Sequence, residues 1–450
     1  MTVVPSDPES TAETSLPEGP EISTQELFGI FTSDPFSFLK NCMDKYGDMF
    51  TLPLGDFGVS EFNASGKWVF LTAAEDLKTL YKAKSTNYLA GKANYIQFAR
   101  LLPIRGSVML DGTEHIERRK VLSKLIQGEK NIRKFANDII DVTRKEIANF
   151  PKAGEFELAA SFQRMTSEIM RHMNFGAEDN PKALEISTKL SHFGEVGLSM
   201  EAKNQIVAEC DHIVADIISE YKQCPHAMEK ECDSMLSTLV SAQKTEGGLS
   251  DIDLQAELVV LLVAGTDTTA TALTWTMAQL FANPMAHNRV VEELTQKFAG
   301  KSALEADDFD DLPYLEAVIL EVCRIIPQLF TTSVRLLTEP LQIGNHLLPA
   351  GTIVANTPYL VHTRSDHYDN PDDFIPERFI GINPDPYKHV FFGGGTRRCI
   401  GMAFALYEMK VIIALLLLNT KFKPVAPSIE PELQGAFFGP KGGVMVELVQ

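Results

Sequence analysis

The chain has few basic residues and few cysteines for its length. Among its 450 residues, 41 Lys and Arg stand against 60 Asp and Glu, which gives a formal net charge of −19. Because a protein of this charge is repelled by nucleic-acid backbones, binding to nucleic acid is not expected. The six cysteines form no C-x-x-C pair and are too sparse for a disulfide scaffold, so structural zinc is also disfavoured.

Long apolar runs and a basic N-terminal segment are missing as well. The longest apolar runs, residues 258–265 and 411–418, have eight residues each, whereas a membrane span needs about 20. The first basic residue is Lys40, so the start of the chain does not resemble a secretory signal. We therefore expect a soluble, cytoplasmic protein without a membrane span.

The composition divides the chain into a short leader and one long domain. Residues 1–24 contain four prolines, five acidic residues and many Ser and Thr, which predicts a disordered leader. From Gln25 onward no linker, repeat or low-complexity segment interrupts the sequence. We therefore expect a single domain over residues 25–450.

Hydrophobic periodicity indicates a mainly α protein with a small β region. The longest predicted helix covers residues 251–282, after a capping signal at Ser250 and before the Asn283-Pro284 stop. Its stretch 258–263 is apolar on every face, which predicts a buried central helix. The other predicted helices cover residues 114–125, 131–149, 208–221, 313–326 and 402–418. The predicted strands cover residues 50–54, 68–72, 341–343, 352–354 and 444–449, with a hairpin turn at Gly344-Asn345.

The most informative segment is the glycine-rich loop at residues 392–401, which places Cys399 just before a long apolar helix. Consecutive glycines let the backbone approach a flat, bulky group, and the helix N-terminus with Arg397 and Arg398 favours a thiolate. We expect a lowered thiol pKa and a metal ligand. The alternative, a phosphate-binding loop, would need Lys and a hydroxyl residue where this chain has Cys-Ile.

Five positions of this loop match the pattern F-x-x-G-x-R-x-C-x-G, at Phe392, Gly395, Arg397, Cys399 and Gly401. The pattern resembles the haem-binding signature of the cytochrome P450 haem–thiolate monooxygenases. The resemblance implies that Cys399 is the proximal ligand of the iron in haem b. It also implies a triangular, mostly helical prism that encloses the haem, of the soluble bacterial type.

A buried ion pair is predicted on the helix at residues 313–326. Glu321 and Arg324 share a face among apolar neighbours, although an isolated E-x-x-R is usually a surface pair. The segment Pro376-Glu377-Arg378-Phe379 resembles the family's P-E-R-F motif. By that resemblance Glu321, Arg324 and Arg378 form a structural lock behind the haem.

In the central helix, residues 264–268 read A-G-T-D-T and resemble the family's [A/G]-G-x-[D/E]-[T/S] motif. Gly265 and the neighbouring hydroxyl residues could open a groove beside the haem, or could only pack small residues against another helix. The resemblance implies that Ala264 faces the haem and that Asp267 and Thr268 are the acid–alcohol pair that delivers protons.

Buried haem propionates need cationic partners. Arg397 is one candidate, and the H-x-x-x-R spacing of His115 and Arg119 matches the family's common propionate-binding pair. Arg335 stands where the family often places another. The alternative for His115 and Arg119 is a solvated face of a charged helix.

The resemblance also implies which residues form the substrate pocket. The mapped residues are mostly apolar, with Arg100 and Arg105 as the only obvious cations, so a terpenoid or steroid is favoured over a fatty-acid-like substrate. The predicted lining is Tyr95, Ile96, Phe98, Leu101, Leu102, Val263, Ala264, Leu329, Phe330, Thr331, Phe437 and Phe438.

Electrons must come from another protein, because the chain carries no flavin fingerprint and no Fe–S cysteine cluster. We expect an acidic ferredoxin or flavodoxin, with its reductase, to dock on a basic patch, and we expect a monomer. The patch is predicted from residues near Cys399 in sequence, which are Lys388, His389, Arg397, Arg398 and Lys410.

Three other haem functions are less favoured. A peroxygenase tends to lose the acid–alcohol pair that Asp267 and Thr268 retain here. A haem protein for storage or gas sensing would need the thiolate but not Thr268. An isomerase or dehydratase acting on peroxides without a reductase is disfavoured for the same reason.

Overall fold

The computed structural model of the protein describes residues 14–55, 63–98, 101–177, 180–193, 198–223, 234–243, 249–301, 304–326, 328–425, 428–434 and 437–449. Helices dominate these segments, and the strands are short. The predicted class, mainly α with a small β region, is confirmed.

The N-terminal half begins with short strands between helices and then becomes mostly helical. Its first elements are α1 (Thr24–Ser33), α2 (Pro35–Tyr46), β1 (Met49–Leu52), β2 (Trp68–Leu71), α3 (Ala74–Lys82), β3 (Tyr88–Leu89) and α4 (Ala90–Phe98). The following elements are α5 (Gly112–Ile126), α6 (Glu129–Arg133), α7 (Ala136–Ala148), β4 (Glu155–Glu157), α8 (Leu158–Phe175), α9 (Pro181–Ser191), α10 (Met200–Gln223) and α11 (Met235–Ala242).

The C-terminal half places most of the β structure between long helices. It starts with the helices α12 (Asp251–Ala282), α13 (Pro284–Lys297) and α14 (Pro313–Ile325). The middle part comprises β5 (Ser333–Leu337), β6 (Leu341–Ile343), β7 (His346–Leu348), β8 (Ile353–Asn356) and α15 (Pro358–His362). The last elements are α16 (Met402–Asn419), β9 (Phe422–Pro424), β10 (Pro431–Gln434), β11 (Phe437–Pro440) and β12 (Met445–Leu448).

The largest sheet has the strand order β1-β2-β8-β5-β3. Its pairs are antiparallel except β2 with β8, which is parallel and aligns Trp68 with Ile353. The strands β4, β12 and β9 form a second, antiparallel sheet, and β6-β7 and β10-β11 are hairpins. The strand β5 thereby holds Arg335 within the main sheet.

The central helix α12 has the predicted bounds. The hydroxyl of Ser250 accepts a hydrogen bond from the backbone N–H of Asp253, and Asn283 ends the helix before Pro284. Most of its side chains are buried on every face, and it packs against α8. It therefore runs through the largest apolar core, which collects residues from Leu101 to Val446.

Most of the other predicted elements are confirmed within a few residues, with three exceptions. The helix predicted at residues 208–221 begins eight residues earlier, as α10 (Met200–Gln223). The predicted helix 131–149 is two helices, α6 and α7, because the chain turns at Phe135, whose ring packs at 6.1 Å on Phe404 of α16. The strand predicted at residues 352–354 is not the second arm of the Gly344-Asn345 hairpin. That arm is β7, while β8 joins the main sheet.

The described part of the predicted leader is attached to the sheets. The backbone N–H of Ser15 donates to Leu347 at 3.1 Å, and that of Thr51 donates to Glu18 at 3.1 Å. A Cβ on Gly19 would lie 1.9 Å from the Thr51 oxygen, so the two backbones are in close contact. These irregular contacts have no periodicity that a sequence pattern could reveal. Residues 1–13 of the leader lie outside the described residues.

Two described helices are long and apolar enough to cross a membrane by length and composition alone. In the folded chain, 72% of the most apolar window of α12 and 61% of that of α16 are buried inside the protein. Core helices of soluble proteins have the same composition, so this is weak evidence for a membrane span.

Candidate functional site

Cys399 lies in a tight loop just before the C-terminal helix. The 3₁₀ turn Gly395–Arg397 precedes it, and α16 begins at Met402. The backbone N–H of Cys399 donates to the carbonyl of Phe392 at 2.8 Å, which closes the loop. The thiol lies deep in the fold but faces an internal cavity, so it is accessible from the cavity side.

Two loop glycines allow a close approach to Tyr81 of α3. A Cβ on Gly394 would lie 1.9 Å from the Tyr81 ring. Gly395 has φ +63°, and a Cβ there would lie 2.6 Å from the Tyr81 carbonyl oxygen. The glycine run is therefore required by packing on α3 as well as by backbone conformation.

The electrostatics of the thiol differ from the sequence-based expectation. Burial raises the pKa of the Cys399 thiol above its ordinary value. The N–H groups of Gly401 and Met402 and the cations Arg119 and Arg398 act in the opposite direction but do not reverse it. The expected lowering of the pKa was wrong, because the desolvation of a deeply placed sulfur cannot be read from its neighbours in sequence.

Two adjacent cavities lie between the Cys399 loop and α12. Their volumes are about 220 and about 270 Å³. Residues of α5 and α16 line the first cavity, whereas the second extends toward α4 and β11. The residues that line both are Asn94, Val108, Ala264, Thr268, Thr269, Arg397, Cys399 and Ala405.

Three arginines and His115 gather at one edge of the smaller cavity. His115 and Arg119 of α5 and Arg397 of the Cys399 loop line it, and Arg335 of β5 is close enough to lower the pKa of His115. Arg397 pairs with Asp111 at 2.9 Å. Burial and then the nearby Arg397 hold the pKa of His115 down at about 3. The structure thus brings together the four residues that the sequence assigned to propionates.

Within the described residues, this cluster contains unused hydrogen-bond donors. The Nε of Arg335 and the Nη1 of Arg397 are buried without a partner. Buried guanidinium donors without acceptors are costly, so the cluster is suited to receive anionic groups.

The three residues of the predicted lock are in contact. The Nε of Arg324 donates to Glu321 at 2.7 Å, and the Nε of Arg378 donates to the other oxygen of Glu321 at 3.1 Å. Arg324 also donates to the carbonyls of His362, Pro371 and Asp373. Because Glu321 and Arg324 are fully buried, the lock ties α14 to the loop that follows α15.

Thr268 lies on the cavity side of α12. Its hydroxyl donates to the carbonyl of Ala264 at 2.6 Å, and the side-chain amide of Gln328 donates to the Thr268 carbonyl at 2.5 Å. A Cβ on Gly265 would lie 2.5 Å from the Met170 sulfur, so this glycine also lets α8 approach. Close packing is therefore one role of Gly265, which also lines the cavity that Cys399 faces, whereas a groove opened beside the haem stays a prediction.

Asp267 faces a different cavity from its neighbour. Its carboxylate lies 3.7 Å from the Nζ of Lys203, and burial raises its pKa. With Lys203, Glu157 and Gln163 it lines a small polar cavity of about 30 Å³. The structure therefore separates Asp267 from the cavity of Thr268 and Cys399.

Comparison with known sequences decides the family. Residues 25–446 match the sequence model of one family, described as cytochrome P450. The chain belongs to the cytochrome P450 family. Membership makes the protein a haem–thiolate monooxygenase, an oxidoreductase that uses O2 and receives electrons from a redox partner.

The cytochrome P450 relatives include bacterial and animal enzymes. The chain is 28% identical to cytochrome P450 135B1 of Mycobacterium tuberculosis over 455 residues, which covers 97% of this chain and 92% of the relative. It is 33% identical to taurochenodeoxycholic 6 alpha-hydroxylase of Sus scrofa over 217 residues, which covers 47% of this chain and 43% of that enzyme.

A solved structure shares the fold. Retinoic acid bound cyanobacterial CYP120A1 superimposes with a TM-score of 0.79 at 23% identity, covering 97% of this chain and 100% of that chain. The predicted cytochrome P450 fold is confirmed.

The residues around the cavities fit the haem group of this family. Haem presents two carboxylates, and the cationic cluster offers the unused donors of Arg335 and Arg397. A flat ring also needs apolar walls on both faces, and Ala264 and Ile400 line the cavity that Cys399 faces. The chain therefore has a thiol, unpaired cationic donors and apolar lining residues that suit the cofactor.

The predicted substrate-pocket residues divide into two groups. Phe98, Leu101, Leu102, Val263, Ala264, Leu329, Thr331 and Phe437 line the larger cavity. The others do not: Tyr95 is 43% exposed, Ile96 and Phe330 pack in the core over the main sheet, and Phe438 packs at 4.8 Å on Phe36. Neighbours such as Phe437 and Phe438 point to opposite sides of a strand, which sequence mapping did not resolve.

Of the two cations noted near the pocket, Arg105 is described and does not line the larger cavity. Arg105 forms an ion pair with Asp253. Arg100 lies outside the described residues.

The predicted basic patch is largely not a surface patch. His389 is buried and bonds to Leu320, Arg397 belongs to the cavity cluster, and Lys410 is 10% exposed and pairs with Glu316. Lys388 and Arg398 are partly exposed. Nearness in sequence did not indicate which side chains face solvent.

Sequence reasoning missed several polar residues of the cavity walls. Asn94 and Gln328 line the larger cavity, and the buried carboxyl groups of Glu257 and Glu408 line the smaller one. A signal for the two glutamates was available, since both stand in apolar stretches of buried helices where an unpaired acid would be costly.

Proposed function

We propose that the protein inserts one oxygen atom from O2 into a small apolar substrate, at haem b held by Cys399. The observation that carries the proposal is that Cys399, Thr268 and the basic residues His115, Arg119 and Arg397 line the same mostly apolar cavity. Haem b, when bound, supplies the iron chemistry that reduces O2 with electrons from a partner.

The Cys399 loop would hold the cofactor from one side. Cys399 provides the sulfur ligand, and the hydrogen bond from its N–H to Phe392 fixes the position of that sulfur. The glycines allow the loop to approach a flat ring, with Gly395 packed on α3 and Gly401 facing the cavity. Ala264 of α12 covers the opposite face.

The cationic cluster would bind the propionates. Arg335 and Arg397 offer buried donors that have no acceptor among the described residues, and Arg119 and His115 stand beside them. Because the pKa of His115 is held low, its ring acts as a neutral hydrogen-bond donor or acceptor rather than as a cation. The lock of Glu321, Arg324 and Arg378 would keep the surrounding loops in register.

Thr268 and Asp267 would handle protons. The Thr268 hydroxyl donates to Ala264 in the folded chain, and a rotation about its Cα–Cβ bond would turn that proton toward the cavity. Asp267 holds its carboxyl beside Lys203 on the other side of α12, at a small polar cavity. A proton could pass from Asp267 to Thr268 only around the helix, through water.

The substrate would be a terpenoid or a steroid, with a fatty-acid-like molecule less favoured. The larger cavity is lined mainly by Phe, Leu and Val side chains, and the one cation among its described lining residues, Arg397, already pairs with Asp111. An apolar cavity gains free energy by burying an apolar ligand, whereas a carboxylate would lack an anchor.

The electron donor would be a ferredoxin or flavodoxin with its own reductase. We now place its docking surface on α5 rather than on the patch predicted from sequence. Arg119 of α5 donates to the carbonyl of Arg398 at 2.5 Å, so this helix adjoins the Cys399 loop. The side chains of Lys120 and Lys124 on α5 are exposed. The cytoplasmic location and the monomeric state stay predictions.

Replacing the proposed ligand tests the central claim. The reduced wild-type protein treated with carbon monoxide should show the red-shifted Soret absorption of sulfur ligation, and Cys399→Ser should lose it. Cys42→Ser, which changes a buried cysteine of α2, should keep it. A wild-type spectrum without the shift, or a Cys399→Ser spectrum that retains it, would contradict the proposal.

Replacing Thr268 tests the proton-handling role. Thr268→Ala should divert electrons from product to hydrogen peroxide, because the hydroxyl that positions the proton is gone. Thr276→Ala on the same helix removes a hydroxyl that donates to the Ala272 carbonyl, and it should leave coupling intact. Equal coupling in wild type and Thr268→Ala would favour a sensor or another proton route.

A further inference from the structure

A group of two guanidinium groups and two carboxylates, buried except for the side chain of Arg105, lies where the loop of residues 101–111 crosses the central helix. The Nη1 of Arg118 donates to Glu257 at 2.8 Å, and its Nη2 lies 3.2 Å from Asp253. The Nε of Arg105 donates to Asp253 at 2.8 Å. We call these four residues the loop clamp. Its charges cancel within the group, so its burial does not need an outside partner.

The clamp also holds the backbone of the loop. The N–H of Ser107 donates to Glu257 at 2.7 Å, and the Ser107 hydroxyl donates to the other Glu257 oxygen at 2.9 Å. Arg118 donates to the carbonyl of Arg105 at 3.2 Å. Glu257 therefore accepts hydrogen bonds from α5 and from the loop at once, with a side chain that is 0% exposed.

Backbone packing and a second set of hydrogen bonds, at Asp111, also hold the loop in place. A Cβ on Gly106 would lie 2.4 Å from a Val260 methyl carbon, so the loop backbone rests directly on α12. At the other end, Asp111 accepts hydrogen bonds from the backbone N–H groups of Gly91 and Lys92 and pairs with Arg397. The loop is therefore held at both Ser107 and Asp111.

This loop forms a wall of the cavities described above. Leu101, Leu102 and Val108 line the larger cavity, and Ser107, Val108 and Glu257 line the smaller one. The hydrogen bonds between Glu257 and Ser107 set the distance between this wall and α12. A change at that contact would move the wall and alter the space beside Cys399.

We propose that Glu257, held by Arg118, is a positioning residue that fixes the loop 101–111 on the central helix and thereby limits the size of the ligand that the cavity admits. The inference rests on the proposed function in one respect, namely that the cavity receives substrate next to haem. Glu257 itself acts through the loop. A purely structural ion pair would affect stability without changing the preference between small and large ligands.

The test uses the haem-loaded full-length chain and azole ligands, whose nitrogen binds haem iron, so the natural substrate need not be known. Imidazole, 1-phenylimidazole and a bulky diaryl azole form a size series, and each dissociation constant is read from the absorbance shift. In E257Q the ratio of the bulky to the small dissociation constant should fall about fivefold or more. Amide hydrogen exchange should rise in residues 101–111 and not across the rest of the chain.

Two further variants separate an effect of the clamp from a general effect on the fold. Arg105→Ala removes one arm of the clamp at a side chain that is 46% exposed, so the fold should survive and the ratio should shift in the same direction by less. Asp251→Asn is the matched control, since Asp251 stands in the first turn of α12 but pairs with Lys222 instead of the clamp. It should change neither readout.

The outcomes separate this inference from the proposed function. An unchanged ratio with unchanged exchange in residues 101–111 for both E257Q and Arg105→Ala would overturn it, and so would a uniform rise in exchange over the whole chain. A wild-type chain that binds no azole, or that lacks the sulfur-ligated spectrum, would contradict the proposed function instead. In that case local exchange still reports on the clamp.

Discussion

Glu408 of α16 is a buried carboxyl group whose oxygens both lack a hydrogen-bond partner in the described part of the chain. Its side chain lines the cavity that Cys399 faces. Burial raises the pKa of Glu408 well above its usual range. Since no cation among the described residues offsets this effect, burial favours the uncharged form of the group in the folded protein.

This state of Glu408 predicts a pH dependence of stability. Above the unfolded-state pKa of about 4.3 the unfolded chain ionises this carboxyl while the folded chain keeps it protonated. The free energy of unfolding should therefore decrease as pH rises, by about 1.4 kcal/mol per pH unit, until the pH reaches the folded-state pKa. Glu408→Gln should remove that slope.

The measurement is urea unfolding of wild type and Glu408→Gln at several pH values between 4.5 and 8. As pH increases, the unfolding free energy of Glu408→Gln should rise relative to that of the wild type. Glu430→Gln serves as the control, because Glu430 is 72% exposed in an ion pair with Lys441. A constant difference across the pH range would show that Glu408 is ionised in the folded chain.

At the scale of an element, helix α14 is held by its Glu321–Arg324 pair. Both side chains are 0% exposed, and Arg324 adds three hydrogen bonds to backbone carbonyls of the following segments. A buried pair with all its hydrogen bonds formed gains little over an apolar contact, but removing one partner leaves an unpaired charge. The cost of breaking it should therefore be large.

Arg324→Ala should lower the free energy of unfolding by about 3–5 kcal/mol. Lys423→Ala, which breaks the exposed Lys423–Glu447 pair, should cost about 0–1 kcal/mol. Chemical denaturation checks both, and Arg324→Lys provides a milder variant if the alanine variant does not fold. Similar losses for Arg324→Ala and Lys423→Ala would contradict the buried-lock interpretation.

At the scale of the whole molecule, the net charge of −19 makes a local basic surface informative. An acidic donor protein is repelled by most of this chain, so attraction must come from a restricted area. The exposed Lys120 and Lys124 on α5, next to the Cys399 loop, provide such an area.

Reduction by an acidic ferredoxin or flavodoxin should therefore slow as ionic strength increases. The double variant Lys120→Glu and Lys124→Glu should reduce the rate at low salt by about tenfold or more. Stopped-flow absorbance measures the rate, and Lys441→Glu, on the β10-β11 hairpin, is the control with an exposed lysine. A rate that depends on neither salt nor these lysines would place the docking surface elsewhere.

The sequence alone predicted those features that depend on residues close together in the chain. Five residues within a ten-residue loop identify the haem-binding signature, and Ser250 with Asn283-Pro284 sets both ends of α12. Glu321 and Arg324 are one helical turn apart, so their contact follows from helix geometry. These features depend on neighbours in the chain, which is why pattern and family resemblance predict them.

Tertiary structure decided which side of an element each group faces and which distant groups meet. Asp267 and Thr268 are adjacent in sequence but lie about 100° apart around a helix, so one faces Lys203 and the other the Cys399 cavity. Arg118 and Glu257 are separated by 139 residues, and only packing of α5 and the loop on α12 joins them. Burial likewise set the pKa directions of Cys399 and Glu408, because desolvation depends on every surrounding element and not on the residues beside them in the chain.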